Sequence, residues 1–117
     1  MDRARVLTEP RFGALRDGSA HPRVGGETIT ELLAAGGARV ERIVSRGAVS
    51  PPDFWYDQTH DEFVLLIDGE AVLTFDDGVE RRLFPGDWCI LPAQCRHRVA
   101  WTDSARETIW LAVHLPG

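Results

Sequence analysis

The chain contains no lysine; all 13 of its basic residues are arginine. Schiff-base chemistry, a pyridoxal-binding lysine and a phosphate-loop lysine are thereby excluded. Cysteine is nearly as scarce. Cys89 and Cys95 are the only two, and their spacing fits neither a C-x-x-C redox pair nor a zinc knuckle. No apolar run is long enough to cross a bilayer, so no membrane span is expected. Positive charge is in deficit, with 13 bases against 18 acids for a net 13 − 18 = −5. An acidic chain without a basic stripe is a poor nucleic-acid binder, and no such partner is expected. Met1-Asp2-Arg3-Ala4-Arg5 leads into no apolar segment, so no secretory signal is visible and a cytoplasmic location is expected. A disulfide is not expected there.

What is present fits one modest domain: 117 residues, 44% of them apolar. Residues 1–26 are rich in Arg, Pro, Gly and Asp, with little periodicity, and read as an arm lying over the rest or reaching a neighbour. Thr28-Ile29-Thr30-Glu31 has capping-box spacing, Leu32 to Ala35 follow, and Gly36-Gly37 supplies a stop. One short helix is expected over 28–35. From Ala38 onward the pattern changes to short strands, expected over 39–46, 53–58, 62–68, 70–76, 79–84, 87–91, 97–102 and 107–115. Turn residues separate them, and Asp68-Gly69 and Asp77-Gly78 read as hairpin signals. Eight strands at this spacing predict an all-β antiparallel sandwich or barrel. The connections are too short for parallel crossovers. Period two places Glu62, Val64 and Leu66 on one face and His97, Val99 and Trp101 on one face. His97 is therefore expected to point inward. His114 shares the side of Trp110 and is expected in the core or an interface.

The segments around Glu62 and His97 carry a resemblance. Tyr56-Asp57-Gln58-Thr59-His60-Asp61-Glu62, followed by Gly69 seven residues after the glutamate, occupies the window of the first cupin motif. Pro85, Gly86, Asp87, Leu91, Pro92 and His97 match the second. Residues 38–117 thus resemble a single-domain cupin, a double-sheet jelly-roll barrel. The implied organisation is an arm and short helix over 1–37 and the barrel over 38–117. The resemblance also implies a homodimer and a small-molecule ligand.

In the cupin family three histidines and a glutamate hold a divalent transition metal inside the barrel. Here Glu62 and His97 stand at their positions, but Tyr56 and Gln58 replace the other two histidines. The resemblance implies a metal such as Fe, Mn, Ni or Zn, held by Glu62, His97 and Gln58, with His60 reaching in from the adjacent turn. Without metal, Glu62 and His97 are left as an acid–base pair for an organic ligand. Tyr56, Trp88 and Trp101 are expected to line the pocket. Two functions follow: a metal-dependent enzyme on a small polar metabolite, or a non-catalytic cupin serving as ligand binder, sensor or accessory protein. Fold alone does not choose between them.

Overall fold

The computed structural model describes residues 8–16 and 21–117. The rest of the expected N-terminal arm lies outside the described residues. Eight strands form: β1 (Gly26–Ala35), β2 (Ala38–Arg46), β3 (Glu62–Asp68), β4 (Ala71–Phe75), β5 (Glu80–Leu83), β6 (Trp88–Leu91), β7 (His97–Thr102) and β8 (Thr108–His114). They make a five-stranded sheet in the order β1-β2-β8-β3-β6 and a three-stranded sheet in the order β5-β4-β7. All named strand pairs are antiparallel. The two inner faces enclose one core of Val64, Leu66, Ala71, Leu73, Leu83, Leu91 and Trp110, with Ile43, Phe75, Cys89 and Val99 packed against it.

The helix expected over 28–35 is strand β1. Its exposure alternates residue by residue from Gly26 to Leu33, the period of a pleated strand. Thr28, Ile29 and Thr30 are β-branched, which favours this geometry over helix. Gly36 and Gly37 both adopt positive φ, +60° and +82°. A two-residue hairpin loop of that kind needs positive φ at both positions, so the pair turns β1 back onto β2 rather than stopping a helix. Among the described residues there is no helix.

Residues 53–58 do not form the expected strand. Pro51 and Pro52 supply no N–H. The segment from Ala48 to Tyr56 instead follows the edge of β7 through separate bonds: Ser50 N to Val99 O at 2.9 Å, and Tyr56 N to His97 O at 2.7 Å. Thr102 Oγ1 adds a bond to Ala48 O at 2.7 Å. This loop covers an edge that would otherwise present unpaired backbone groups.

The two Asp-Gly pairs act differently. Asp77-Gly78 turns the β4–β5 hairpin, with Phe75 N donating to Val79 O at 2.9 Å. Asp68-Gly69 is no hairpin turn, because β3 and β4 belong to different sheets. It is the corner where the chain crosses from one sheet to the other. Gly69 sits there at φ +86°, pressed against Thr108. In the described part of the arm, the Ala14 carbonyl accepts a bond from Arg42 Nη1 at 3.2 Å, and Arg11 Nη2 donates to Leu32 O at 3.3 Å. These residues therefore lie over β1 and β2.

Candidate functional site

Registry across the large sheet sets one row of inward side chains. Arg39 on β2 pairs with His114 on β8, His114 with Glu62 on β3, and Glu62 with Leu91 on β6. One step further in lie Glu41 and Val64, and then Ile43 and Trp110. From the small sheet Leu73, Val99 and His97 face them. Between these faces lies a cavity of about 290 Å³, with Glu27 and Ile29 of β1 and the loop residues Tyr56 and Gln58 completing its wall. One half of the lining is aliphatic and aromatic; the other half is carboxylate, imidazole, amide, phenol and the Arg39 guanidinium.

Glu62 and His97 are 8% and 5% exposed, so both polar side chains are buried in that wall. Such groups are costly to bury unpaired. Glu62 Oε1 accepts a bond from Gln58 Nε2 at 2.8 Å. His97 Nδ1 lies 2.8 Å from the Cys95 carbonyl. A carbonyl can only accept, so Nδ1 carries the proton. In the neutral ring Nε2 then keeps its lone pair. Tyr56 is bridged to His97 through the backbone and stacks on its ring at 5.2 Å and 21°. The second motif builds this placement. Asp87 Oδ2 accepts from Phe84 N at 2.8 Å, closing the Pro85-Gly86 turn. Gln94 N donates to Gln58 O at 2.6 Å, tying the loop before His97 to the first motif.

A second polar chain enters from the rim. A carboxylate only accepts, so His114 Nε2 donates to Glu41 Oε1, at 3.0 Å. His114 Nδ1 and His60 Nε2 share a hydrogen bond at 2.8 Å. Glu62 Oε2 lies 3.9 Å from His114 Nε2, beyond hydrogen-bond range. Glu41 Oε2 also receives Arg39 Nε at 3.1 Å. His114 lines both the cavity and a shallower pocket outside it, where His60 lies. At the cavity mouth Glu27 Oε2 accepts from Ser45 Oγ at 3.3 Å, and Trp110 Nε1 also bonds Ser45 Oγ, at 3.2 Å.

The local environment moves three of these groups. Burial raises the Glu27 carboxyl above its ordinary value, outweighing the Ser45 hydrogen bond. Burial also raises the Tyr56 phenol, and the negative charges of Glu27 and Glu62 push it further, so it stays protonated at neutral pH. The Cys89 thiol is pushed up to about 11, chiefly by burial and then by Glu62, which leaves it unreactive at neutral pH.

The residues expected at the site divide clearly. Gln58, Glu62, His97 and Tyr56 line the cavity together. His60 does not; its ring is held by His114 in the outer pocket. Trp88 and Trp101 are also outside. Trp88 pairs with Leu65 on the face opposite Val64 and Leu66, is 59% exposed, and stacks on Phe63 at 5.8 Å. Trp101 would share the inward face of His97 and Val99 in a regular strand. A register shift opposite Val72 and Leu73 breaks that parity. The extra residue of a bulge moves everything beyond it to the other face. Trp101 therefore points outward, with the Arg82 guanidinium 5.2 Å over its ring. Sequence reading missed Glu27, Arg39, Glu41 and the cavity role of His114. The signal for Glu41 was its parity with Ile43 in an otherwise inward row.

The donor set does not fit a cupin metal. Among the described residues no three of His, Cys, Asp and Glu are placed to hold a metal ion. Gln58 directs its amide N–H, not its oxygen, at Glu62.

A family model described as the cupin domain matches residues 41–114. The chain is a cupin. Solved structures agree with this. A protein of Ralstonia eutropha JMP134, provisionally named a mannose-6-phosphate isomerase, is 42% identical over 92% of this cupin and 100% of its own chain, with a TM-score of 0.85. A cupin superfamily protein of Desulfitobacterium hafniense DCB-2 is 20% identical, with 98% and 99% covered and a TM-score of 0.73. KdgF of a Halomonas species is 19% identical, with 79% and 82% covered and a TM-score of 0.67. The last two share the fold alone. No curated protein matches this cupin.

Proposed function

We propose that this cupin binds a small polar metabolite in the barrel cavity, and that Glu62 and His97 act on it by acid–base chemistry. The observation that carries this is His97 Nε2. The residue is 5% exposed, its Nδ1 is committed to Cys95 O, and Nε2 has no hydrogen-bond partner among the described residues. An imidazole nitrogen without a protein partner, on a largely buried residue lining the cavity, is poised to accept a proton from a ligand O–H or N–H. Glu62 Oε2 is the second open acceptor, while Oε1 is held by Gln58. Tyr56, kept protonated, supplies a donor beside them. At about 290 Å³ the cavity lies at the lower end of ligand-pocket sizes, which suits a metabolite rather than a polymer.

The metal implied by family resemblance has no matching donor set here, so the reading uses the protein's own groups. The alternative of a non-catalytic binder rests on the same cavity. The Gln58–Glu62 bond favours it, because it occupies half of the carboxylate.

Exchange of a ligand's acidic proton into deuterated water separates the two. Metabolites that bind the cavity are first identified by His97 and Tyr56 amide shifts in a ¹H–¹⁵N NMR titration. Wild type should exchange a bound ligand's C–H proton faster than His97→Gln by roughly a hundredfold, as expected for a general base. Equal rates in both proteins assign the cavity to binding alone.

A further inference from the structure

We infer that the cavity selects a small protonated amine over an anion. The inference rests on the cavity being the ligand site. Its lining carries three carboxylates, Glu27, Glu41 and Glu62, against a single guanidinium, Arg39. Counting the carboxylates and the guanidinium alone, the formal balance is 1 − 3 = −2. The one cation is already paired with a carboxylate through one nitrogen, since Arg39 Nε donates to Glu41 Oε2 at 3.1 Å.

Most open atoms of the polar wall are acceptors; the Tyr56 hydroxyl and the Arg39 Nη groups are its open donors. Glu41 is used on both oxygens, by Arg39 and by His114. Glu27 has one oxygen bonded by Ser45, and Glu62 has one bonded by Gln58. The second oxygen of each has no hydrogen-bond donor among the described residues. His97 Nε2, in a side chain more than nine-tenths buried, is a third open acceptor. A ligand that satisfies these atoms must bring N–H or O–H groups.

Charge then decides between donors. Half-enclosed negative charge in excess of its counter-ions is unfavourable, and the Tyr56 phenol, raised first by burial, is pushed further by Glu27 and Glu62. An ammonium relieves that charge, whereas a phosphate or carboxylate adds to it. The opposite half of the wall, with Ile43, Val64, Leu73, Leu91, Val99 and Trp110, suits a short apolar stem. The volume holds about ten water-sized groups. A short amine carrying a hydroxyl matches both halves. The phosphorylated sugar in the Ralstonia protein's name does not match this wall.

The test uses three matched four-carbon probes: 4-aminobutan-1-ol, butane-1,4-diol and 4-hydroxybutyrate. Each is titrated into the full chain at low salt while the His97 and Tyr56 amides are followed by NMR. Mannose 6-phosphate is the fourth probe. The amine should shift these resonances with an affinity at least about tenfold above the carboxylate, with the diol between. Glu27→Gln, a change at the cavity mouth that leaves the core intact, should shrink the gap by about threefold. If 4-hydroxybutyrate or mannose 6-phosphate shifts the same resonances as strongly as the amine, the inference is overturned while the cavity remains the ligand site. If no probe moves any cavity resonance, both the inference and the proposed function fall.

Discussion

Two residues carry the account at the smallest scale. His97 is fixed by its Nδ1 bond to Cys95 O and by the Tyr56 ring stacked on it. The neutral ring should therefore be the Nδ1-protonated tautomer, and ¹⁵N-resolved histidine spectra at neutral pH should show Nε2 unprotonated. The reverse pattern would remove the open acceptor. Glu27 is the other. Burial holds its carboxyl above the ordinary 4.5 in the folded protein. The folded state then binds that proton more tightly than the unfolded chain. Its contribution to stability is full below pH 4.5 and is lost as pH rises through the folded value. Because Glu27 lies at the solvent-reached cavity mouth, Glu27→Gln should raise the urea midpoint only slightly at neutral pH and leave it nearly unchanged in acid. A variant less stable at neutral pH would show that the carboxylate is held by partners rather than strained by burial.

At the scale of elements, two backbone positions predict opposite results. Gly69 turns the chain between sheets at φ +86°, and an added Cβ would lie 2.5 Å from Thr108 Cα. Thr108 is wholly buried, and its hydroxyl bonds both backbone groups of Glu70. Gly69→Ala should cost about 3 kcal/mol, combining left-handed strain with overpacking. Gln94 is the only non-glycine residue with positive φ, +63°, among the described residues, and its side chain is exposed. Gln94→Gly should add up to ~1 kcal/mol by relieving that strain. Both are read from denaturant midpoints. The same elements show what was legible in the sequence. Turn residues and alternation placed most of β2 to β8, and the two motifs placed Glu62 and His97 in one cavity. The helix expectation failed because capping-box spacing and a Gly-Gly stop also describe a β-branched strand entering a tight hairpin. Trp101 was misplaced because a bulge is invisible to strict period two. His114 and Glu41 were not assigned because their meaning depends on registry across three strands.

At the scale of the whole molecule, the outer face of β3 and β6 stands out. Trp88 and Ile90 are each 59% exposed, and Phe63 packs against Trp88. Among the described residues β6 ends the large sheet, and no strand pairs with its outer edge. The homodimer expected from family resemblance is proposed to use this face. Wild type should elute as a dimer in light-scattering chromatography, and Trp88→Glu with Ile90→Glu should shift it to monomer. A wild-type monomer would contradict the assignment. A dimer here would leave the cavity's polar wall, built from β1, β2, β8 and the 56–62 segment, away from the contact.

This barrel is proposed to act through Glu62 and His97 as side chains, without the metal centre of its family. Elemental analysis of protein purified without chelator tests that proposal most directly. Far less than one Fe, Mn, Ni or Zn per chain is expected, with no change in His97→Ala. One equivalent of metal per chain, lost in His97→Ala, would contradict it.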